Sequence, residues 1–269
     1  MTSSLRTVKA AIGRILHRDS LPYSAFPRGL GGTSISDQFL YRGDIDASRF
    51  VAENTAALLR GEPVEVMHRL RFFDSLGRHL RDLEIRTDRY FQTIDLRQLK
   101  ETMPQLEIAT FIHTSVYDSA SEPGYVRLHR GYCQYRRTPE SVWASVHGNF
   151  GGIVVRPGER PDQHQLLARR RRAFLYTPQH RFEPSTIATL YFMNACRSPE
   201  TVEVLVTPDQ CGAPSRPHAT LRIEPLGVGC CSVEGHSGYL SFRSQLPMCR
   251  PQVFIEDRRQ PQHFDVFHT

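Results

Sequence analysis

Three histidines, His113, His129 and His147, are the residues of this chain best suited to metal chemistry. Imidazole nitrogens bind Zn, Fe or Cu, and three protein ligands leave a position open at the metal for water. His129 precedes Arg130-Gly131 and His147 precedes Gly148-Asn149, so a glycine at which the backbone can turn follows each within two residues. The three histidines are therefore one candidate site, a metal centre for oxidation or hydrolysis. The alternative is that they are structural hydrogen-bonding groups.

The second candidate is the stretch from residue 125 to residue 149, YVRLHRGYCQYRRTPESVWASVHGN, which contains the single tryptophan of the chain. Tyrosine and tryptophan rings stack on sugar faces and planar groups, and arginine donates hydrogen bonds to hydroxyl or acidic groups. This composition predicts a binding groove for a carbohydrate or another polar small molecule. The residues assigned to the groove are Tyr117, Arg127, Arg130, Tyr132, Tyr135, Arg136, Trp143 and Asn149. Alternatively, the aromatic rings fill a core and the arginines face solvent.

Strong catalytic motifs are absent from the sequence. It has no GxSxG nucleophile elbow, no phosphate-binding loop, no HExxH zinc motif and no dinucleotide glycine fingerprint. The six cysteines form no CxxC pair, which argues against a structural zinc ribbon. We therefore expect a non-catalytic ligand-binding or accessory protein, with a metal-dependent enzyme as the alternative. The sequence does not identify a cofactor beyond the transition metal that the histidines would hold.

Composition is that of a folded, soluble protein, with 39% hydrophobic and 23% charged residues. There is no apolar run of about 18 residues and no secretory signal, so we expect a cytoplasmic location. The net charge of +6 comes almost entirely from arginine, a bias that a GC-rich bacterial genome also produces. An acidic partner is permitted, but nucleic acid is disfavoured because no RNA-binding motif occurs and acidic residues are mixed throughout.

The N-terminal region predicts a short amphipathic helix over residues 5–18. Its apolar stripe contains Leu5, Val8, Ile12, Ile15 and Leu16, and the opposite face is basic. Such a helix can dock on a protein partner or lie on an anionic membrane surface. The alternative is a helix that packs on its own domain. The glycines and prolines of residues 20–34 then predict a loop.

The rest of the chain predicts strands, and its two halves share landmarks in the same order. The matched segments are Phe39-Leu40-Tyr41 with Phe174-Leu175-Tyr176, FVAEN (50–54) with LYFMN (190–194), Val64-Glu65-Val66 with Val202-Glu203-Val204, Leu83-Glu84-Ile85 with Leu221-Arg222-Ile223, and Phe111-Ile112-His113-Thr114 with Val266-Phe267-His268-Thr269. This order predicts an all-β protein with two tandem antiparallel β-sandwich domains from an internal duplication. The predicted divisions are 1–34 for the N-terminal helix and loop, 35–155 for the first sandwich, 156–173 for a linker and 174–269 for the second sandwich.

Four segments of the second half follow one another in an order that is also found in a known domain family: TLYFMN (189–194), TVEVLV (201–206), LRIEPLG (221–227) and SQLPMCRPQVF (244–254). In these segments each half, and the second more closely, resembles the small β-sandwich domain of sensory-rhodopsin-transducer-like proteins. The resemblance implies a β-sandwich fold and small-ligand binding. It brings no catalytic residues, and the stretch from residue 125 to residue 149 lies outside it.

Overall fold

The computed structural model describes residues 20–24, 34–118, 131–148, 153–154, 165–169, 173–194, 198–210, 213–244, 250–260 and 262–268. Strands dominate these residues, which confirms the all-β prediction. The helices found among them are α1 (Thr55–Arg60) and α2 (Arg97–Thr102). Neither is long and apolar enough to cross a membrane. The predicted helix at residues 5–18 lies outside the described residues.

The first half of the chain forms two antiparallel sheets. Its strands are β1 (Ser20–Ser24), β2 (Ser34–Arg42), β3 (Ala47–Glu53), β4 (Val66–Phe73), β5 (His79–Thr87), β6 (Phe91–Asp95), β7 (Ile108–Val116), β8 (Tyr132–Arg136), β9 (Ala144–His147) and β10 (Ile153–Val154). Sheet I has the order β10-β2-β7-β4-β5, and sheet II has the order β6-β3-β8-β9. Asn54 follows β3 and accepts a hydrogen bond from the Ala57 amide, so it caps α1 where the run 50–59 changes from strand to helix.

The second half repeats this strand order. Its strands are β11 (Gln165–Arg169), β12 (Phe174–Tyr176), β13 (Thr186–Met193), β14 (Glu200–Pro208), β15 (Arg216–Ile223), β16 (Val228–Glu234), β17 (Gly238–Ser244), β18 (Gln252–Asp257) and β19 (Phe264–His268). Sheet III is β12-β17-β14-β15 and sheet IV is β16-β13-β18-β19. Strands β12 to β19 therefore occupy the sheet positions of β2 to β9, in the same order.

Strands β1 and β11 pair with each other in a separate antiparallel sheet. The sequence predicts a loop and a linker at these two places, so both assignments miss a strand. Each strand has five residues between segments rich in glycine, proline or arginine. A period-two pattern over so few residues is too short to stand out from its surroundings.

The register between strands corrects one of the predicted repeat matches. In sheet II, Val51 pairs with Tyr132, which pairs with His147. In sheet IV, Tyr191 pairs with Gln252, which pairs with His268. The residue that corresponds to His268 is therefore His147, and the predicted match of His268 with His113 is wrong. A four-residue match of alternating apolar and polar types fits several strands of one sheet.

The hydrophobic core explains how the halves are joined. One core lies between sheets III and IV and contains Leu190 and Phe192. A larger core lies between sheets I and II and continues onto the other side of sheet IV, where Tyr191 and Met193 are buried. Because sheet IV is covered on both sides, two tandem sandwiches are not clearly separated. The four larger sheets instead read as a propeller-like ring of four blades.

Two turns interlock at the contact between the halves. The turn after β4 brings the Ser75 carbonyl within 3.1 Å of the Val228 amide, which donates a hydrogen bond to it. Gly77 in the same turn has a positive φ of 77°, and a Cβ atom built on it would overlap the Pro225 carbonyl oxygen. The backbones of the two turns therefore approach as closely as the absence of a side chain allows.

Polar side chains of sheet I complete this contact. Leu226 has a φ of 64°, which is unusual for a residue other than glycine. Its carbonyl accepts hydrogen bonds from Gln38 Nε2, at 3.1 Å, and from Thr110 Oγ1. The buried Arg42 guanidinium lies 5.1 Å from the ring centroid of Tyr191. The strained backbone at Leu226 thus presents a carbonyl to donors of the other half.

Candidate functional site

The outer face of sheet II is the side of that sheet turned away from the core. The register fixes its members, because cross-strand partners point to the same side. Phe50, Ala52, Cys133 and Tyr135 are buried on the inner side. The alternating residues that form the outer face are Arg49, Val51, Glu53, Phe91, Thr93, Asp95, Tyr132, Gln134, Arg136, Ser145 and His147, with Trp143 directly before β9.

Aromatic rings are exposed on this face. Phe91 is 55% exposed and Tyr132 is 39% exposed. Trp143 is partly exposed, and its ring centroid lies 3.9 Å from the guanidinium carbon of Arg49 and 5.0 Å from that of Arg136. Guanidinium groups at these distances attract the π-electrons of the indole. The two arginines therefore hold Trp143 in one place on the face.

Hydrogen bonds between side chains fix the polar groups of the face. Arg49 Nε donates to Gln134 Oε1 at 2.6 Å, and Gln134 Nε2 donates to Ser145 Oγ at 2.9 Å. Arg136 Nε donates to Asp46 Oδ2 at 2.7 Å. Each of these side chains has further donors or acceptors beyond the bonds named. The face thus offers positioned hydrogen-bonding groups beside its aromatic rings.

The charges of the face balance, although the whole chain carries +6. Arg97 Nε donates to Asp95 Oδ2 at 2.8 Å, and this hydrogen bond lowers the pKa of Asp95. Arg136 is paired with Asp46. The charged groups on and beside the face are Arg49, Arg97, Arg136, Asp46, Glu53 and Asp95. Among the described residues on and beside the face, three positive charges stand against three negative ones, so together these groups give an ion no net attraction.

The structure brings together three of the predicted groove residues: Tyr132, Arg136 and Trp143. Arg127, Arg130 and Asn149 lie outside the described residues. Sequence reasoning missed Phe91 and Arg49, which belong to β6 and β3. Their alternation with buried residues indicates an outward orientation, but only the order of sheet II places them beside the predicted stretch.

Tyr135 and Tyr117 are corrections to the predicted groove. Tyr135 is fully buried, and its hydroxyl donates to the Leu40 carbonyl at 2.7 Å. Tyr117 is 5% exposed and packs with Ala56 and Val64 in a small separate cluster. Both are core residues, so the alternative interpretation of the aromatic residues is right for these two positions.

Two of the three predicted histidines, His113 and His147, lie in the described part of the chain. His113 lies in the core of the first half, where its Nε2 is 2.9 Å from His68 Nδ1 and its ring packs on Phe50. His147 lies on the outer side of β9, its ring centroid 4.7 Å from that of His268. His129 is outside the described residues. Among the residues described, no group of three or more metal-ligating side chains occurs. His113 packs on the inner side of sheet II and His147 lies on its outer side, and the predicted triad with His129 stays a prediction.

Each half buries a polar pair that joins two corresponding strands. His68 and His113 join β4 to β7, and Glu200 and Ser244 join β14 to β17. The Ser244 hydroxyl donates to Glu200 Oε1 at 2.8 Å, and burial raises the pKa of Glu200 to about 7. A carboxyl group with 3% exposure has no access to a solute. The protonation of Glu200 therefore affects the stability of the fold.

Because of Glu200, we expect the free energy of unfolding to fall as pH rises. Its folded-state pKa of about 7 lies above its ordinary value of 4.5, so its contribution is complete below 4.5 and is lost as pH rises through about 7. We expect Glu200→Gln to remove a decline of roughly 1–3 kcal/mol across this range. Urea unfolding at a series of pH values measures the slope.

The matched control is Glu203→Gln, on the same strand with its side chain exposed beside Arg243. It is expected to leave the pH slope as it is in the parent protein. A slope that persists in the Glu200 variant contradicts the assignment.

Comparisons with known proteins identify no relative by sequence: no family model matches, and no curated protein matches. A calcium-binding mutant of beta-glucuronidase 2 from Bacteroides uniformis matches at 9% identity and a TM-score of 0.18, covering 92% of this chain and 27% of that chain. A Bacteroides uniformis beta-glucuronidase matches at 10% identity and a TM-score of 0.17, covering 86% and 25%. This chain spans about a quarter of the length of these structures. Similarity this low carries no argument about fold or function.

Proposed function

We propose that this chain is a non-catalytic binding protein whose outer face of sheet II binds a neutral carbohydrate. The observation that carries the proposal is the combination, on one exposed face, of aromatic rings with hydrogen-bonding groups held in place. Sugars present C–H groups that stack on aromatic rings and hydroxyls that both donate and accept hydrogen bonds. Because the charges of the face balance, a neutral ligand fits better than an ionic one.

The corresponding face of sheet IV supports this reading. That face is covered by the first half and is filled by large apolar side chains. By the register, Gln134 stands where sheet IV has Phe254, and Tyr132 stands where it has Gln252. On an uncovered face we expect a polar residue where the covered face has an apolar one, as with Gln134 and Phe254. The opposite change, an exposed Tyr132 where the covered face has Gln252, is not expected from solvent exposure alone. The pattern favours a surface kept open for contact with a ligand.

We also propose that the two halves are tandem β-sandwich copies from an internal duplication. The shared strand order supports this origin. The resemblance to sensory-rhodopsin-transducer-like proteins also leads us to expect a sandwich that binds a small ligand. We further propose a cytoplasmic location.

A glycan array followed by titration calorimetry tests the binding function. We expect Tyr132→Ala and Trp143→Ala each to weaken binding of an array-positive glycan at least tenfold, which is the range for central aromatic contacts, about 1–3 kcal/mol. The control is Val142→Ala, a neighbour of Trp143 that is 77% exposed, and it should bind as the parent does. An empty array, or full binding by both aromatic variants, removes the proposal.

A further inference from the structure

The geometry points to an extended, flat β-linked glycan chain as the ligand, bound along an oblique line of three aromatic residues across sheet II. This inference rests on the proposed carbohydrate function. The three residues are Phe91, Tyr132 and Trp143, and they come from β6, from β8 and from the residue before β9. Each lies on a different strand or strand end, and each is further along the sheet in the same direction.

The strand register gives the first spacing. Strand β3 lies between the strands of Phe91 and Tyr132, so two strand spacings separate these residues. On β3, Phe91 pairs with Glu53 and Tyr132 pairs with Val51, which are two residues apart. Neighbouring strands are about 4.8 Å apart and two residues along a strand span about 6.8 Å, so these two aromatic residues are roughly 12 Å apart at the backbone. Their exposed fractions of 55% and 39% leave both rings open to contact.

The second spacing continues the line. Tyr132 is the partner of His147, and Trp143 lies four residues before His147 on the neighbouring strand. The same strand geometry places Tyr132 and Trp143 roughly 14 Å apart at the backbone, and the backbone positions of the three residues span about 25 Å. The Trp143 indole leans from β9 towards β3, where the Arg49 guanidinium covers one of its faces, so a sugar has the other face to stack on. A pyranose ring covers about the area of one tyrosine ring, so a monosaccharide stacks on one of the three residues only. A chain of several sugars is needed to contact all three.

The residues at both ends of the line are exposed. Phe91 belongs to β6, the edge strand of sheet II, so a chain can pass beyond it over the edge. At the other end Val142, beside Trp143, is 77% exposed. Exposed residues at both ends of the line suit an internal segment of a polymer rather than a chain end. A sheet face is also better matched by a flat β-linked ribbon than by a curved α-linked chain.

The decisive experiment is titration calorimetry of the full chain with two linear series of matched composition. The probes are β-1,4-linked and α-1,4-linked glucose oligomers of one, two, four and six sugars, with β-1,4-linked N-acetylglucosamine oligomers as a third series. We expect affinity in a β-linked series to rise at least tenfold from two to six sugars, and the β-linked glucose hexamer to bind at least tenfold tighter than the α-linked one if glucose is accepted. Phe91→Ala should weaken the β-linked hexamer at least fivefold.

The outcomes distinguish this inference from the proposed carbohydrate-binding function. An empty glycan array ends both. A positive array together with a monosaccharide or disaccharide that binds as tightly as the hexamer, or with equal binding of α- and β-linked chains, overturns the extended-chain inference and leaves carbohydrate binding standing. No binding by either β-linked series also overturns it. A Val142→Ala chain that retains hexamer affinity shows that the loss in Phe91→Ala is local to the aromatic line.

Discussion

Replacing Tyr135 by alanine is expected to lower the free energy of unfolding by about 3–5 kcal/mol, the range for deleting a large buried aromatic side chain. Tyr135 has no exposed surface, and its ring centroid lies 4.9 Å from that of Phe254 in the other half of the chain. The alanine variant would leave a cavity where the cores of the two halves meet. Urea unfolding followed by circular dichroism measures the change.

Tyr135→Phe is the matched variant, because it keeps the ring and removes the hydroxyl that donates to the Leu40 carbonyl. We expect a loss of about 1–3 kcal/mol, the cost of leaving a buried acceptor without its donor. An alanine variant as stable as the parent would contradict the core assignment and would return Tyr135 to the list of surface residues.

Gly77→Ala is expected to lower the free energy of unfolding by about 2–4 kcal/mol. A positive φ costs a residue with a Cβ roughly 1 kcal/mol, and overpacking adds about 1–3 kcal/mol. The added methyl group would overlap the Pro225 carbonyl oxygen, a backbone atom that moves only if the turn moves. Thermal or urea unfolding gives the value.

Gly61→Ala separates the two causes. Gly61 ends α1 with a φ of 70°, close to that of Gly77, but a Cβ built on it meets nothing within 4 Å. It should therefore lose only the conformational part, about 1 kcal/mol. Equal losses in the two variants would show that the two turns do not press against each other.

The strands could be predicted from the sequence because most of them alternate. The segments VEVMHRLRFF and TVEVLVT keep a period of two, and the structure has β4 and β14 there. The burial of sheet IV on both sides was also signalled, since LYFM in β13 is continuously apolar rather than alternating. A strand that is continuously apolar packs on both of its sides, which two separable sandwiches do not provide.

The site could be predicted only in part, because the period of the strand decides which aromatic residues are available. Tyr132 and Tyr135 are three residues apart, an odd number, so they must point to opposite sides of β8. The sequence therefore contained the distinction between the exposed and the buried tyrosine. It did not contain the neighbours Phe91 and Arg49, because the order of strands in sheet II depends on tertiary packing.

The contact between the halves also has a consequence during synthesis. Gln38 donates to the carbonyl of Leu226, 188 positions later in the chain, and Tyr135 lies within 3.4 Å of Gln252 Oε1, 117 positions later. The first half therefore emerges from the ribosome with the apolar surface at Leu40 and Ile112 uncovered, long before its partner exists. Contacts so distant in sequence make folding slow and leave the nascent chain prone to aggregation.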